Sequence, residues 1–260
     1  RYYFVMDGVT YEHFIGMGEN RRPSLFYDNV RPYQLSVYKK IYQTPTWLNK
    51  GVMYQIFVDR FCASGKAVPN EDKIMRNWGE QPYFRDEDGV VLNRDFFGGD
   101  LEGVISKLPY LRSLNVSTIY LNPIFKAYSN HKYDTEDYET IDPMFGTQQD
   151  FERLCAEAHN LGIHVILDGV FNHVGRDFTK FVEVRNGNNS YRDWFHINDG
   201  NSCYNDGFWY EGWEGHYELV KLNLYNPAVK EYLKEVITGW VKEFDIDGLR
   251  LDVAYCLDLN

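Results

Sequence analysis

The sequence predicts an α/β fold that contains about the first half of a (β/α)8 barrel, preceded by the end of a β-sandwich. Strand-like and helix-like patterns alternate four times after residue 46. The strand-like segments are nearly continuous apolar runs, which is typical of parallel strands buried on both faces. Polar residues gather where successive strands end, and (β/α)8 barrels build their sites in this way. They are Asp59 and Arg60 on the first strand, Asn122 on the second, Asp168, Asn172 and His173 on the third, and Arg250 and Asp252 on the fourth.

A doubly wound sheet satisfies the same alternation of strand and helix. The sequence contains neither a GxGxxG nor a Walker pattern, which disfavours a nucleotide-binding sheet of that kind. The polar strand ends therefore favour the barrel, whose carboxyl-terminal face collects side chains from several strands.

Residues 1–45 differ in pattern from the rest of the chain. They contain the short aromatic and β-branched runs YYFVMDG, VTYEHFIG and PYQLSVYKK, separated by Gly, Asn and Pro turns, which predicts antiparallel strands. Because so short a segment does not bury two faces by itself, we expect it to be the end of an amino-terminal β-sandwich. The barrel segment then occupies residues 46–260.

The elements of the barrel segment follow from its hydrophobic periodicity. The predicted strands are 52–61, 117–125, 163–173 and 245–254, and the predicted helices are 100–115, 147–162 and 226–244. Residues 127–147 form a loop that is too long and too polar for a plain connection, and such loops usually serve function. Residues 174–223, rich in Gly, Asn and aromatic residues, form a second excursion from the barrel.

The composition excludes several classes of partner. The chain of 260 residues has a formal net charge of −11 and no cluster of Lys and Arg, which argues against nucleic acids and anionic membranes. Its longest apolar runs are too short to predict a transmembrane helix, and residues 1–30 show no signal-peptide pattern. The aromatic content of 17% fits a filled core or, alternatively, a cleft whose rings stack on sugars or bases. We expect a neutral polar ligand.

Opposite charges lie close together in GLRLDVA, residues 248–254. Residues two apart on a strand share a face, so we expect Arg250 and Asp252 to pair. A neighbouring guanidinium favours the ionised form of a carboxylate, and an ionised carboxylate at a strand end is a competent nucleophile. From this motif alone, a buried ion pair that only fixes packing is an equally open interpretation.

The preceding predicted strand carries a second polar set in DGVFNH, residues 168–173. Asp168 lies near the end of the strand, and Asn172 and His173 follow where side chains reach a ligand or each other. By itself such a pair is more often structural. Its position beside the Arg250 strand favours a shared site.

The loop 127–147 supplies a third set of polar and aromatic residues. His131, Tyr133 and Asp134 offer a ring platform and hydrogen-bonding groups. A loop that only packs on itself is the alternative interpretation.

Together these motifs resemble the α-amylase family of glycoside hydrolases, retaining enzymes built on a (β/α)8 barrel. DGVFNH and GLRLDVA are similar to two of its signature regions. Further similar segments are YQIFVDRF at 54–61, FFGGDLEGV at 96–104, NHKYDTEDYETIDPMFGT at 130–147 and LVKLNLYNPAVKEYL at 219–233. The last one resembles the MPKLN region of the neopullulanase, cyclomaltodextrinase and maltogenic amylase group, although Leu219 and Val220 replace its Met and Pro.

The resemblance implies a role for each site residue. Asp252 is implied to be the nucleophile that forms a covalent glycosyl intermediate, and Arg250 to keep it ionised and oriented. The implied substrate-binding residues are Tyr133, which stacks on the sugar, His173, which hydrogen-bonds it, and Asn172, Asp168 and His131. Residues 174–223 are implied to be domain B, an insertion that walls the cleft, with Trp209, Tyr210 and Trp213 as sugar contacts.

The resemblance also raises the question of calcium. In this group a Gly and an Asp of the GGDL segment join a loop after the first strand to bind the ion through oxygen ligands. Gly98 and Asp100 match, and Asn70 and Asp72 are the remaining candidate ligands. Lys66 lies where a ligand is expected and would repel the ion. No organic cofactor is implied.

Retaining glycosidases need two carboxyl groups about 5 Å apart, one as nucleophile and one as general acid. The family places the acid, a glutamate, on the fifth strand, and a histidine and an aspartate after the seventh. The sequence reaches only the fourth predicted strand. We therefore expect the 260-residue chain to be a fragment that is inactive by itself.

The resemblance implies hydrolysis of α-1,4 bonds in maltooligosaccharides, cyclodextrins or pullulan, with α-1,6 bonds left open. Two alternatives also stay open. One is a non-catalytic amylase-like binding protein or ectodomain, although such proteins tend to lose signature residues that are present here; the other is an α-glucanotransferase.

The expected partner is an α-glucan, a homodimer is left open, and a bacterial cytoplasm is favoured over secretion.

Overall fold

The computed structural model describes residues 1–8, 11–37, 43–67, 73–83, 85, 87, 89–91 and 93–257. The strands are β1 (Phe4–Asp7), β2 (Glu12–Met17), β3 (Pro23–Phe26), β4 (Val52–Ile56), β5 (Ile74–Met75), β6 (Asp95–Phe96), β7 (Val116–Leu121), β8 (Phe125–Ala127), β9 (Thr135–Ile141), β10 (His164–Gly169), β11 (His173–Gly175), β12 (Ile197–Asn198), β13 (Trp209–Tyr210), β14 (Gly212–Trp213), β15 (His216–Lys221) and β16 (Gly248–Leu251). The α-helices are α1 (Thr46–Asn49), α2 (Leu101–Ser113), α3 (Gln148–Asn160), α4 (Thr179–Arg185) and α5 (Pro227–Phe244).

The chain divides into two compact units, Arg1–Thr44 and Pro45–Asn260. In the first unit, β1, β2 and β3 form an antiparallel sheet in that order, and Tyr2 forms a further bridge with Tyr33. The predicted strand at 32–40 is wrong for residues 32–37, which contain only this bridge, and residues 38–40 lie outside the described part. Membership of a β-sandwich stays a prediction.

The second unit is built on a parallel sheet in which each strand lies beside its predecessor in the chain, in the order β4, β7, β10, β16. Helix α2 connects β4 to β7, α3 precedes β10, and α5 precedes β16. A doubly wound sheet reverses its strand order at a switch point, whereas a (β/α)8 barrel adds strands in one direction. The observed order is that of a partial (β/α)8 barrel, as predicted.

Caps and apolar faces fix the three long helices. Asp100 accepts a hydrogen bond from Gly103 N at 2.7 Å at the start of α2, and Thr147 forms a capping box with Asp150 at the start of α3. Asn226 caps α5, with a proline in the first turn. Their buried faces pack on the sheet in one core, where Trp240 of α5 stacks on Phe125 with ring centroids 4.4 Å apart.

All four predicted strands are too long. The predicted strand 117–125 ends at Leu121, and only Gly248–Leu251 of the predicted strand 245–254 forms a strand. In the other two, polar residues near the predicted ends make other bonds. The predicted strand 52–61 ends at Ile56, and Val58–Arg60 turns because Asp59 accepts hydrogen bonds from the backbone of Phe97 and Gly98. The predicted strand 163–173 ends at Gly169, because His173 begins β11, which pairs antiparallel with β15.

The predicted loop 127–147 contains regular structure. Its residues 135–141 form β9, which pairs antiparallel with β8. The excursion 174–223 contains α4 and strands β12 to β15, packed around buried aromatic rings. Within the described part of the chain, every helix is too short or too polar to cross a membrane.

A histidine–aspartate cluster ties the amino-terminal ends of the parallel strands together. Asp247, just before β16, accepts a hydrogen bond from Val165 N at 2.8 Å and pairs with His159 at 2.8 Å and His164 at 2.5 Å. Trp47 stacks on His164 at 4.3 Å. Burial acts to raise the pKa of Asp247, but the bonds from Val165 and the two histidines outweigh it and hold the pKa below its ordinary value.

We expect Asp247→Asn to lower the free energy of unfolding by about 1–2 kcal/mol at pH 7, because it weakens hydrogen bonds to a charged acceptor. A carboxyl group with a lowered pKa stabilises the fold above its unfolded pKa of about 3.9, and this stabilisation is lost as the pH falls through the folded value. Urea unfolding, followed by tryptophan fluorescence at pH 7 and pH 3.5, measures the difference between the two proteins.

Asp245→Asn is the matched control, since the Asp245 side chain is 92% exposed and lies 3.7 Å from His159. It is expected to change the free energy of unfolding by less than about 0.5 kcal/mol. A destabilisation by Asp247→Asn that is equal at both pH values would contradict the assigned role.

Candidate active site

One arginine joins two carboxylates at the carboxyl-terminal ends of β10 and β16. The parallel register places Arg250 opposite Asp168. Arg250 Nη1 donates to both oxygens of Asp168, at 3.0 and 3.2 Å, and to Oδ1 of Asp252 at 2.7 Å. The structure thus brings together the three residues that the sequence placed on two separate strands.

Burial and hydrogen bonding act in opposite directions on this cluster. Burial raises the pKa of Asp168, whose side chain is inaccessible to solvent, although bonds from Tyr120, Arg250 and Tyr133 oppose the shift. Burial also acts to lower the pKa of Arg250, but the hydrogen bonds to Asp168 and Asp252 outweigh it and raise the pKa. Arg250 therefore stays charged and keeps a positive partner beside each carboxylate.

Two tyrosine hydroxyls complete the set of donors around Asp168. Tyr120 of β7 and Tyr133 of the 127–147 loop both donate to Oδ2, the second at 2.9 Å. Burial, together with the charge of Asp168, raises the pKa of Tyr133 to about 12, so its hydroxyl remains protonated. Tyr133 thus lies at the cluster, as predicted for a residue of the site.

His173 lies next to Asp252, with Nε2 4.0 Å from Asp252 Oδ2. Asn172 Nδ2 donates to His173 Nδ1 at 3.2 Å, so the neutral ring carries its proton on Nε2. Burial lowers the pKa of His173 to about 4, although Asp252 opposes the shift. His173 Nε2 and Asn172 Oδ1 are buried without a hydrogen-bond partner among the described residues. A neutral imidazole donor beside a carboxylate suits a ligand hydroxyl.

The loop that carries His131 and Tyr133 is held by a buried lysine. Lys132 Nζ, 1% exposed, pairs with Asp142 at 2.6 Å and lies 5.0 Å from the ring centroid of Phe145. The neighbouring His131 accepts a hydrogen bond from Tyr133 N on Nδ1 at 3.1 Å, and burial lowers its pKa. Lys132 therefore fixes the positions of both rings.

His131 lies outside the Arg250 cluster and lines a neighbouring cleft of about 620 Å³. The cleft runs between the loop and the excursion, and its lining includes Asp134, Arg176, Tyr204 and Glu218. Asp134 accepts hydrogen bonds from Ser129, so this carboxylate serves the loop itself. Of the three predicted loop residues, only Tyr133 reaches the Arg250 cluster.

The three aromatic residues of the excursion that were predicted as sugar contacts have different positions. Tyr210 is fully buried, and its hydroxyl donates to Tyr217 O at 2.8 Å. Trp209 donates to the Tyr217 hydroxyl at 3.1 Å. Trp213 alone lies beside the site, 5.8 Å from the His173 ring.

Sequence reasoning missed Tyr120 as a member of the site and left the polar strand-end residue Asn122 without a role. Tyr120 stands within an apolar strand and resembles a core residue. The available signal is its spacing, because Tyr120 and Asn122 are two apart and share a face. Conversely, Asp59 and Arg60 were expected at the carboxyl-terminal face of the sheet with the other site residues. Instead, Arg60 forms ion pairs with Asp59 and Asp95, away from the Arg250 cluster.

The described residues alone do not fit a calcium site. Asp100 accepts hydrogen bonds from Gly103 N and from the backbone and hydroxyl of Ser64, and Gly98 N donates to Asp59. No group of three or more His, Cys, Asp or Glu in the described ranges is arranged to hold a metal. The remaining candidates, Asn70 and Asp72, lie outside the described residues. We therefore assign no chemical step to a metal.

The sequence matches the model of the α-amylase catalytic domain over residues 55–259. A cyclomaltodextrinase of Thermoanaerobacter pseudethanolicus is 40% identical over 99% of this chain and 44% of its own length. An intracellular maltogenic amylase of Bacillus subtilis is 44% identical over 84% of this chain and 35% of its own length. The chain therefore spans less than half the length of these relatives.

A solved structure of similar fold is the cyclic α-maltosyl-(1→6)-maltose hydrolase from Arthrobacter globiformis, in complex with cyclic α-maltosyl-(1→6)-maltose. Its TM-score is 0.72 at 35% sequence identity, over 82% of this chain and 46% of that one. The similarity in fold and in sequence between this chain and the Arthrobacter enzyme extends over 82% of this chain.

We expect the His173 ring to stay neutral from pH 8 down to about pH 5, with its proton on Nε2, because burial lowers its pKa to about 4. Spectra of protein labelled with ¹⁵N-histidine distinguish the two neutral tautomers and follow protonation. His173→Gln assigns the resonance by removing it. A midpoint near 6.5, or a proton on Nδ1, would contradict the geometry.

Proposed function

Because the chain belongs to the α-amylase family, as its match over residues 55–259 shows, we propose that the protein carrying it is a retaining glycoside hydrolase of α-glucans. The substrates are maltooligosaccharides, cyclodextrins or pullulan, and the bonds are α-1,4. The observation that carries the proposal is the 2.7 Å bond from Arg250 to Asp252, which orients a carboxylate at the carboxyl-terminal face of the sheet.

Asp252 is the nucleophile in this proposal. Its carboxylate oxygen bonds to the anomeric carbon while the bond to the leaving oxygen breaks, and that oxygen takes a proton from a general acid. Water then releases the sugar from the ester with Asp252. Asp168 is unsuited to be the acid, since Arg250, Tyr120 and Tyr133 all donate to it. The resemblance assigns the acid to the fifth strand of the barrel. The parallel sheet that the structure describes has four strands, of which β16 is the fourth.

The other site residues bind the sugar in this proposal. His173, neutral at pH 7, donates Nε2–H to a sugar hydroxyl beside Asp252. Asn172 fixes the tautomer of His173 through its 3.2 Å bond to Nδ1. Tyr133 offers its ring face to the same sugar, and His131 contacts the glucan where it enters the neighbouring cleft.

The relatives support the class of substrate. One is named for cyclomaltodextrin and another for maltogenic activity. The Arthrobacter structure is a complex with cyclic α-maltosyl-(1→6)-maltose, which makes α-1,6 bonds a second target for testing. A cytoplasmic location is part of the proposal and is supported by the Bacillus subtilis relative named as intracellular.

We expect Asp252→Asn to lower kcat by about 10⁴-fold or more while the fold is retained, because the amide is not a nucleophile. Release of reducing ends from cyclodextrin and maltotriose measures turnover, and circular dichroism measures the fold. The test uses the whole protein that carries this sequence.

Asp199→Asn is the matched control, since Asp199 is an exposed aspartate in the excursion and should leave kcat unchanged. Retained turnover by Asp252→Asn would refute the nucleophile assignment. Products longer than the substrate would instead indicate a glucanotransferase that uses the same residues.

A further inference from the structure

Two amide side chains extend the hydrogen-bond chain beyond the residues assigned above. Asn122 follows β7 and is 8% exposed. Its backbone N donates to Ile56 O at 3.0 Å, which fixes it beside β4. On that strand, Gln55 Nε2 donates to Asn122 Oδ1 at 2.8 Å. On its other side, Asn122 Nδ2 donates to the Tyr133 hydroxyl at 3.2 Å.

These contacts determine the direction of the bond that Tyr133 makes. An asparagine amide has one accepting end and one donating end. Because Gln55 donates to the accepting end, Asn122 turns its donating end towards Tyr133. The Tyr133 hydroxyl has one proton, so it accepts from Asn122 and donates to Asp168 at 2.9 Å. Each bond in this series thus runs from a donor to an acceptor.

We propose that Asn122 is a positioning residue for the glycosidic reaction, oriented by Gln55, which directs the Tyr133 hydroxyl to Asp168 and thereby fixes the Tyr133 ring. This inference rests on the proposed function, in which that ring contacts the sugar. An oxygen in place of Asn122 Nδ2 would compete with Asp168 for the single proton of Tyr133. Asp168, buried beside Arg250, would then lose one of its donors.

The residues form one chain across the four neighbouring strands of the sheet. Gln55 belongs to β4, Asn122 follows β7, Asp168 belongs to β10, and Arg250 belongs to β16. Tyr133 reaches the chain from the 127–147 loop. This series of hydrogen bonds connects Gln55 to Asp252 by way of Asn122, Tyr133, Asp168 and Arg250.

The test is Asn122→Asp, which keeps the shape of the side chain and removes its donating end. In the whole protein that carries this sequence, kcat/KM on maltotriose is expected to fall about tenfold, because one bond in a charged network is lost. In a Tyr133→Phe background, the same substitution is expected to change kcat/KM by less than about twofold, because the ring then lacks the hydroxyl.

Gln55→Leu tests the orienting step. In the wild-type background it is expected to lower kcat/KM about threefold. In the Asn122→Asp background it is expected to leave kcat/KM unchanged, because the two carboxylate oxygens are equivalent and there is no amide left to orient. Gln81→Leu is the matched control, since Gln81 is exposed and should leave kcat/KM unchanged. If Asn122→Asp does not fold, the cycle of Gln55→Leu with Tyr133→Phe tests the same coupling.

Additive effects of Asn122→Asp and Tyr133→Phe would overturn the positioning role, as would an unchanged kcat/KM in Asn122→Asp. Failure of the proposed function appears separately, as a wild-type protein without glucan hydrolysis or as retained turnover in Asp252→Asn. If the wild-type protein hydrolyses glucans and Asp252→Asn abolishes turnover, the proposed function holds. Additive effects of Asn122→Asp and Tyr133→Phe would then refute the positioning role alone.

Discussion

The sharing of one guanidinium between two carboxylates is the interaction on which the site depends. Arg250 reaches Asp168 because the register of β10 and β16 places them opposite each other, and it bonds at 2.7 Å to Asp252, which directly follows β16. Removal of the guanidinium would leave a fully buried carboxylate without its charged partner, which is costly in a protein interior. The parallel sheet therefore determines both the geometry and the charge of the site.

The electrostatics of the cluster suit a reaction that develops positive charge. Two carboxylates face one arginine, and the nearby imidazole is neutral because burial lowers the pKa of His173. The Arg250 cluster thus combines two carboxyl groups with one cation, and neutral donors surround them. An oxocarbenium-like transition state gains from such surroundings, whereas a bound anion does not. This agrees with the sequence-level expectation of a neutral polar ligand.

The spacing of two between Arg250 and Asp252 was enough to predict that they pair. The alternation of strand and helix fits a doubly wound sheet as well, so the barrel order was predicted from the polar residues at the strand ends. The role of Tyr120 was missed, because a tyrosine in an apolar strand resembles any core residue unless its spacing of two from the polar Asn122 is used. The end of β10 was missed for a related reason: His173 joins a strand pair with residues almost fifty positions later in the chain. Non-local pairing of this kind leaves no signal in local periodicity.

The pairing of β11 with β15 also has a consequence for how the protein can diversify. The excursion leaves the barrel at His173–Gly175 and returns beside it at Leu219–Lys221, so one short ladder closes both of its ends. A tight contact supports this junction, because a Cβ on Gly175 would lie 2.4 Å from Asp134 O. The segment between these ends lines the neighbouring cleft through Arg176 and Tyr204, so changes in it would reshape the wall of that cleft while β10 and β16 keep Asp168 and Arg250 in register.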